Sequence, residues 1–164
     1  MTALTNPKTT KALIEDLNTE ALIPANNLAD LYDLPTSLTN LGLVKKTVTV
    51  SVTAVAGAAN VSTVTITAKD ANGATVTGIQ WFEVITTSDS GGGTISATAY
   101  SGSLVAVTGT ILATYTAKHA FLVATDATGV FVGSLTDTAK TADFIAVMSP
   151  LGAAPIVSSA MAFG

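Results

Sequence analysis

The stretch VSTVTITAKDANGATVTGIQWFEV, from Val61 to Val84, decides the fold. Apolar residues at positions 64, 66 and 68 alternate with threonines, and a period of two places the two sets on opposite faces of a strand. Asp70-Ala71-Asn72-Gly73 then supplies the side-chain acceptor and the glycine that tight turns use. The residues after this turn include Trp81, the only tryptophan of the chain. We therefore predict a β-hairpin that carries Trp81 and forms the centre of a β-sandwich core.

The same alternation predicts further strands on either side of this hairpin. One covers residues 48–54, and the others are Thr94–Tyr100, Leu104–Val107, Ile111–Thr116, Ala120–Thr125, Val130–Leu135 and Ala142–Met148. Short strands at this spacing, separated by turns, indicate a sandwich or barrel rather than βαβ units. The apolar tail from Pro155 to Gly164 is expected to pack as an edge strand or against a partner.

Two motifs, Ala-Lys-Asp-Ala-Asn-Gly at residues 68–73 and Ala-Thr-Asp-Ala-Thr-Gly at residues 124–129, echo one another. Each follows an alternating strand and precedes another, so we predict two hairpins that use the same kind of turn rather than a true tandem repeat.

The first residues have a different pattern and form a predicted N-terminal arm. No proline lies between Pro35 and Pro150, which suits an uninterrupted β domain over residues 43–164 preceded by an arm over residues 1–42. Helical spacing of apolar residues after Asn6-Pro7 predicts one short amphipathic helix, and a second helical turn follows over residues 26–33. Helices this short are marginal in water, so the arm must pack against its own domain or anchor on another protein. The predicted partner-binding side chains are Leu13, Ile14, Leu17, Leu28, Leu31 and Tyr32.

Composition disfavours several classes of function. All seven basic residues of this 164-residue chain are lysines at a net charge of −4, so the guanidinium groups that recognise phosphates and bases are missing. The apolar runs are far too short to span a bilayer, and we find no signal peptide. We therefore expect no nucleic-acid or membrane partner. Only 11% of the residues are charged, so the surface should be adhesive enough to oligomerise or to dock on a larger assembly.

Catalytic and metal chemistry find little support in the residues present. His119 is the only histidine, no Gly-x-Ser-x-Gly elbow accompanies it, and we expect it to be a surface or rim residue. Cysteine is absent, which removes thiolate metal sites. Glu83 is the single carboxylate inside an apolar strand and is expected to face outward. We predict no enzyme activity, no catalytic residue and no cofactor.

Two binding alternatives remain open from the sequence. The acidic turn residues Asp70, Asp126 and Asp137 could meet at one end of a sandwich and bind calcium weakly, although we predict no metal site. The aromatic residues Trp81, Phe82 and Tyr100 belong either to the core, which is the more common outcome, or to a platform that stacks against sugars.

Two parts of the chain resemble a known class of protein. The segment DLPTSLTNLGL, residues 33–43, is similar to a segment of phage fibre and appendage proteins. The stretches VTITAKDANGATVTG and TYTAKHAFLVATDATGVFVGSLTDTAKTADFIAVMSP resemble Ala/Thr-rich Ig-like domains of tailed-phage virion proteins, including head decoration proteins and head fibres.

This resemblance implies an Ig-like antiparallel β-sandwich with a structural role on the capsid surface, where it would stabilise or decorate the shell. It also implies contacts with the major capsid protein or other virion proteins, and a homo-oligomer, often a trimer. Synthesis in the host cytoplasm would precede incorporation into the virion. A tail or fibre component, or a host- or carbohydrate-binding Ig-like module, is the alternative.

Overall fold

The computed structural model describes residues 46–150 and 154–164, which form nine β-strands and no helix. The strands are β1 Thr49–Ala56, β2 Val61–Lys69, β3 Trp81–Thr87, β4 Val105–Thr108, β5 Thr110–Thr116, β6 Ala120–Ala124, β7 Val130–Thr136, β8 Phe144–Val147 and β9 Ile156–Val157. The predicted arm lies outside the described residues, as do its boundary at residues 42 and 43 and the six side chains Leu13, Ile14, Leu17, Leu28, Leu31 and Tyr32.

The strands form two antiparallel sheets that share one hydrophobic core. The first sheet has the order β1-β2-β7-β4 and the second has the order β5-β6-β3-β8-β9. Alternate residues of each strand face inward, so Ile66 and Phe131 from the first sheet join Val84 and Phe121 from the second in the same buried cluster. The all-β prediction is therefore confirmed, and the architecture is that of a β-sandwich.

The predicted hairpin over residues 61–84 is wrong in its pairing. The turn at Asp70–Gly73 forms, and the chain returns only as far as an isolated bridge between Lys69 and Thr75. The chain then crosses to the other sheet, where β3 lies between β6 and β8, whereas β2 lies between β1 and β7. The hydrophobic alternation specified which face of each strand is buried but not which strand is its neighbour.

Trp81 is not at the centre of the core. Its side chain is 69% exposed, whereas Phe82 and Val84 on the same strand are buried. Because successive side chains of a strand point to opposite faces, burial of Phe82 requires Trp81 to face outward. Even-numbered residues are buried on both β2 and β3, so the phase of the alternation carries through and Trp81 faces outward like the odd-numbered threonines of β2.

Most of the other predicted strands are confirmed within a few residues of their predicted ends. The exception is Thr94–Tyr100, whose only ladder contact is an isolated bridge between Ile95 and Thr87. Instead, hydroxyl groups at alternate positions of this segment donate hydrogen bonds to the buried carboxylate of Asp143. The expected edge strand in the tail is confirmed as β9, which pairs only with β8.

Candidate functional site

Asp143 lies at the centre of a buried polar cluster at one end of the sandwich. Its Oδ2 atom accepts hydrogen bonds from Ser96 Oγ at 2.5 Å, Thr98 Oγ1 at 2.7 Å and the Tyr100 hydroxyl at 2.6 Å. The three donors are spaced two residues apart, so an extended backbone presents all of them on one side. The Tyr100 carbonyl oxygen in turn accepts a hydrogen bond from Lys118 Nζ. These contacts fasten residues 96–100 to the residue that precedes β8.

The environment shifts the pKa values of both ionisable partners. Burial would raise the pKa of Asp143, but the hydrogen bonds from Ser96, Tyr100 and Thr98 outweigh this effect, and together with the charge of His119 they hold it below the usual value. Burial, reinforced by the hydrogen bond to Asp143, raises the pKa of Tyr100 to about 12. The cluster therefore favours an ionised aspartate beside a neutral tyrosine.

His119 belongs to this cluster and is half-buried rather than a plain surface residue. Its Nδ1 atom lies 2.9 Å from Thr86 Oγ1, and its ring centroid lies 5.4 Å from that of Tyr100. The hydroxyl of Ser96 donates directly to Asp143, so Ser96 and His119 do not form a nucleophile–base pair. The geometry instead joins the loop over residues 96–100 to both β3 and β8, which is a stabilising role.

The acidic turn residues do not come together. Asp126 precedes β7 and Asp137 follows it, which separates the two by the length of a seven-residue strand, on the order of 23 Å. Asp70, at the end of β2, lies at the same end as Asp126 because β2 and β7 are antiparallel. No group of three acidic or imidazole side chains within residues 46–150 and 154–164 could hold a metal ion. The calcium alternative is therefore wrong.

Each of these aspartates serves its own turn. In four turns, which start at Asp70, Asp89, Asp126 and Asp137, the carboxylate accepts hydrogen bonds from the main-chain N–H groups two and four residues later at 2.9–3.3 Å. The aspartate carbonyl also accepts the N–H group three residues later, and that residue has a positive φ. The prediction of one shared turn at residues 68–73 and 124–129 is confirmed, and the structure adds two more copies. The two predicted hairpins are wrong, because β2 and β3 lie in different sheets and so do β6 and β7.

Hydrogen-bond donors of the turns hold the pKa of three of these carboxyl groups below the usual value. For Asp89 the main cause is the main-chain N–H of Gly93, and for Asp126 it is the hydroxyl of Thr128. For Asp137, burial acts in the opposite direction but is outweighed by hydrogen bonds from the N–H groups of Thr141 and Ala139.

The clearest candidate for an interaction surface is formed by β4 and β5. These consecutive strands meet at Gly109, and each is an outer strand of its sheet, so two open sheet edges lie side by side. Val105, Val107, Leu112 and Tyr115 form what we call the bulged edge, and all four are exposed. Residues 90–117, which include both strands, contain no charged residue and no histidine. Exposed edges usually carry charges or proline against unwanted pairing, and this one carries neither.

A second candidate surface is a cleft of about 580 Å³ beside Trp81. Glu83 lies two residues further on the same face of β3, and Gln80 Oε1 accepts a hydrogen bond from Thr47 Oγ1 at 3.0 Å. The lining is completed by Lys46, Thr47, Phe82, Met148, Ser149 and Pro150. The outward direction of Glu83 is confirmed. Of the three aromatic residues, Phe82 and Tyr100 lie in the core, as we favoured, whereas Trp81 is accessible. The alternative of a platform built from all three is therefore wrong.

No protein-family model, curated protein or solved structure matches this chain. Nor do residues 46–150 and 154–164 contain a helix that could cross a lipid bilayer.

Sequence reasoning missed the Asp143 cluster and the bulged edge. The hydroxyl pattern Ser96-x-Thr98-x-Tyr100 was a usable signal for the cluster, since three hydroxyls on one face of an extended segment need an acceptor if that face is buried. The absence of charge over residues 90–117 was the corresponding signal for the surface.

Proposed function

We propose that this chain is a non-enzymatic structural protein of a phage virion, which binds the capsid surface and stabilises or decorates it through contacts with the shell and with other copies of itself. In this proposal residues 43–164 form an Ig-like body, and the arm over residues 1–42 contacts the major capsid protein or another virion protein. The observation that carries the structural role is the bulged edge, an uncharged apolar surface on two open sheet edges.

The physical effect of such a protein is the burial of apolar area. A standard interface removes roughly 800 Å² from water on each partner, and each square ångström of apolar area contributes about 25 cal/mol. Binding that exists only in the assembled shell stabilises that shell by mass action. The resemblance of residues 33–43 and of the β domain to phage virion proteins supports a location on a virion, and it favours a trimer.

The number of copies per particle tests this proposal. Quantitative mass spectrometry of purified virions, combined with electron microscopy of labelled particles, should give hundreds of copies on the head. A dozen copies or fewer at the tail would favour the alternative of a tail or fibre component. Complete absence from the particle would overturn the virion role.

The contribution of the arm can be measured separately. Removal of residues 1–41 should abolish binding to capsids while circular dichroism still reports a folded β domain. Capsid binding by the shortened chain with unchanged affinity would contradict the role assigned to the arm.

A second function, binding of a carbohydrate, is favoured by the cleft beside Trp81. A 69% exposed indole can stack on a sugar ring, while Glu83 and Gln80 offer hydrogen-bond acceptors to its hydroxyl groups. A glycan array tests this function. Trp81→Ala should abolish a signal that Ile79→Ala retains, because Ile79 is equally exposed at 70% but does not line the cleft.

A further inference from the structure

The bulged edge owes its shape to three interruptions in strand register. On β4 the register skips Val107, and on β5 it skips Leu112 and Tyr115. Each skipped residue is the extra residue of a β-bulge, and bulges redirect a side chain away from the regular pleat. These residues are 67%, 55% and 59% exposed. All three bulges on the two outer strands therefore present a large apolar side chain to the outside.

The bulges also limit how another chain can bind here. An added strand needs a regular row of free N–H and C=O groups, and bulges disrupt that row. Extension of either sheet by a partner's backbone is therefore disfavoured on β4 and β5. The contact that this surface permits is side-chain packing between apolar groups.

The charge distribution indicates which partner fits. The chain has a net charge of −4, so two copies repel one another over much of their surface. Residues 90–117 carry no charge, and two copies that meet through them place no like charges together and bury no ion without a partner. A neutral surface has no charge with which to select an oppositely charged foreign protein.

We infer that the bulged edge of one copy packs against the bulged edge of another copy of this chain, with Val107, Leu112 and Tyr115 at the centre of the contact. This inference deepens the proposed function, on which it rests, by naming the partner of that surface. Apolar and aromatic side chains at the centre of an interface carry most of its binding energy.

The oligomeric state of the full chain in solution tests this inference. Light scattering after size exclusion, or analytical ultracentrifugation at several concentrations, should show a discrete oligomer for the unchanged chain. Leu112→Lys and Val107→Lys each place a charge at the centre of the contact and should raise the dissociation constant by about 100-fold. The matched control is Val55→Lys on β1, at the opposite edge of the same sheet as β4 and 55% exposed like Leu112. This control should remain an oligomer.

Folding must be measured in parallel. All three substituted side chains are exposed, so the thermal unfolding of monomeric variants should resemble that of Val55→Lys. If one lysine variant fails to fold, the other decides the result, since the two lie on different sheets.

The outcomes separate this inference from the proposed function. A monomeric unchanged chain, or an oligomer that survives both edge substitutions, overturns the inference, because the contact would then be absent or would lie elsewhere. Dissociation of the Val55→Lys control as well would also overturn it. The presence of the protein on virions is measured independently, so a self-associating chain that is absent from particles would refute the virion role and leave the inference intact.

Discussion

Replacement of Asp143 by asparagine probes the buried cluster with little change in shape. The aspartate accepts three hydroxyl hydrogen bonds on one oxygen and carries a negative charge. The asparagine carbonyl oxygen is neutral and has two lone pairs, so it can retain at most two of the three donors. The third hydroxyl must find another acceptor or remain unsatisfied in a buried site.

The expected loss of stability follows from this change. A hydrogen bond to a charged acceptor contributes about 1.5–3 kcal/mol, whereas a neutral one contributes about 1 kcal/mol. Two neutral bonds therefore replace three stronger ones, while the uncharged amide is less costly to bury than the carboxylate. We expect the free energy of unfolding of Asp143→Asn at pH 7 to fall by about 3 kcal/mol. Thr98→Val, which removes one donor, should cost about 1.5 kcal/mol.

Urea denaturation between pH 7 and pH 3 is the appropriate assay. The pKa of Asp143 in the folded protein lies below its usual value, so between the two values the unfolded state binds more protons. The contribution of Asp143 is complete above about pH 4 and is lost as the pH falls through its folded pKa. The asparagine of Asp143→Asn does not titrate, so its stability has no such dependence on pH. The difference in unfolding free energy between the two proteins should therefore shrink below about pH 4. A difference below about 1 kcal/mol at pH 7, or one that stays constant down to pH 3, would refute the assigned role.

Three further predictions concern the turns and Tyr100. Gly129→Ala should destabilise the fold by about 3 kcal/mol, because the added Cβ would overlap the Val76 carbonyl oxygen. Gly73 has a similar positive φ but open space around it, so Gly73→Ala should cost only about 1 kcal/mol. Lys140, at φ 55°, occupies the turn position that glycine holds in the other three turns. Lys140→Gly should therefore stabilise the fold by about 0.5–1 kcal/mol, whereas Lys140→Ala should not. Chemical denaturation measures the glycine-to-alanine pair and the Lys140 pair, and equal effects of the two variants within either pair would contradict these predictions. Because the pKa of Tyr100 is raised to about 12, stability should fall from pH 10 to pH 12, and Tyr100→Phe should remove that part of the decline.

Local patterns predicted the strands well but not their partners. The alternation on β1, β2 and β7 identified the extent and the buried face of each strand. It does so because, on a half-buried strand, a period of two places the apolar residues on the inner face and the polar residues on the outer face. Which strands become neighbours depends on contacts between distant segments, and for that reason the predicted pairing of the strands on either side of Asp70 was wrong.

The candidate surfaces were harder to predict than the fold. A run such as Ile111-Leu112 has two apolar residues in succession, and only the register with β6 shows that Leu112 is the bulged one. Asp143 stands just before an apolar strand, and its donors precede it by more than forty residues. The aspartate turns were predictable because each turn closes within five residues and needs no distant partner.

The strand order affects how this protein can fold during its synthesis on the ribosome. Among the nine strands, only β1 with β2, β5 with β6 and β8 with β9 pair with a neighbour in sequence, whereas β2 must wait for β7, and β3 must wait for β6 and β8. During synthesis the inner faces of β2 and β3 therefore stay uncovered until most of the later strands have been made. Such exposed strands are prone to aggregate, and topologies with distant pairings fold slowly. Folding of this domain is accordingly an event that comes late in translation, and its yield should depend on chaperones that shield the early strands.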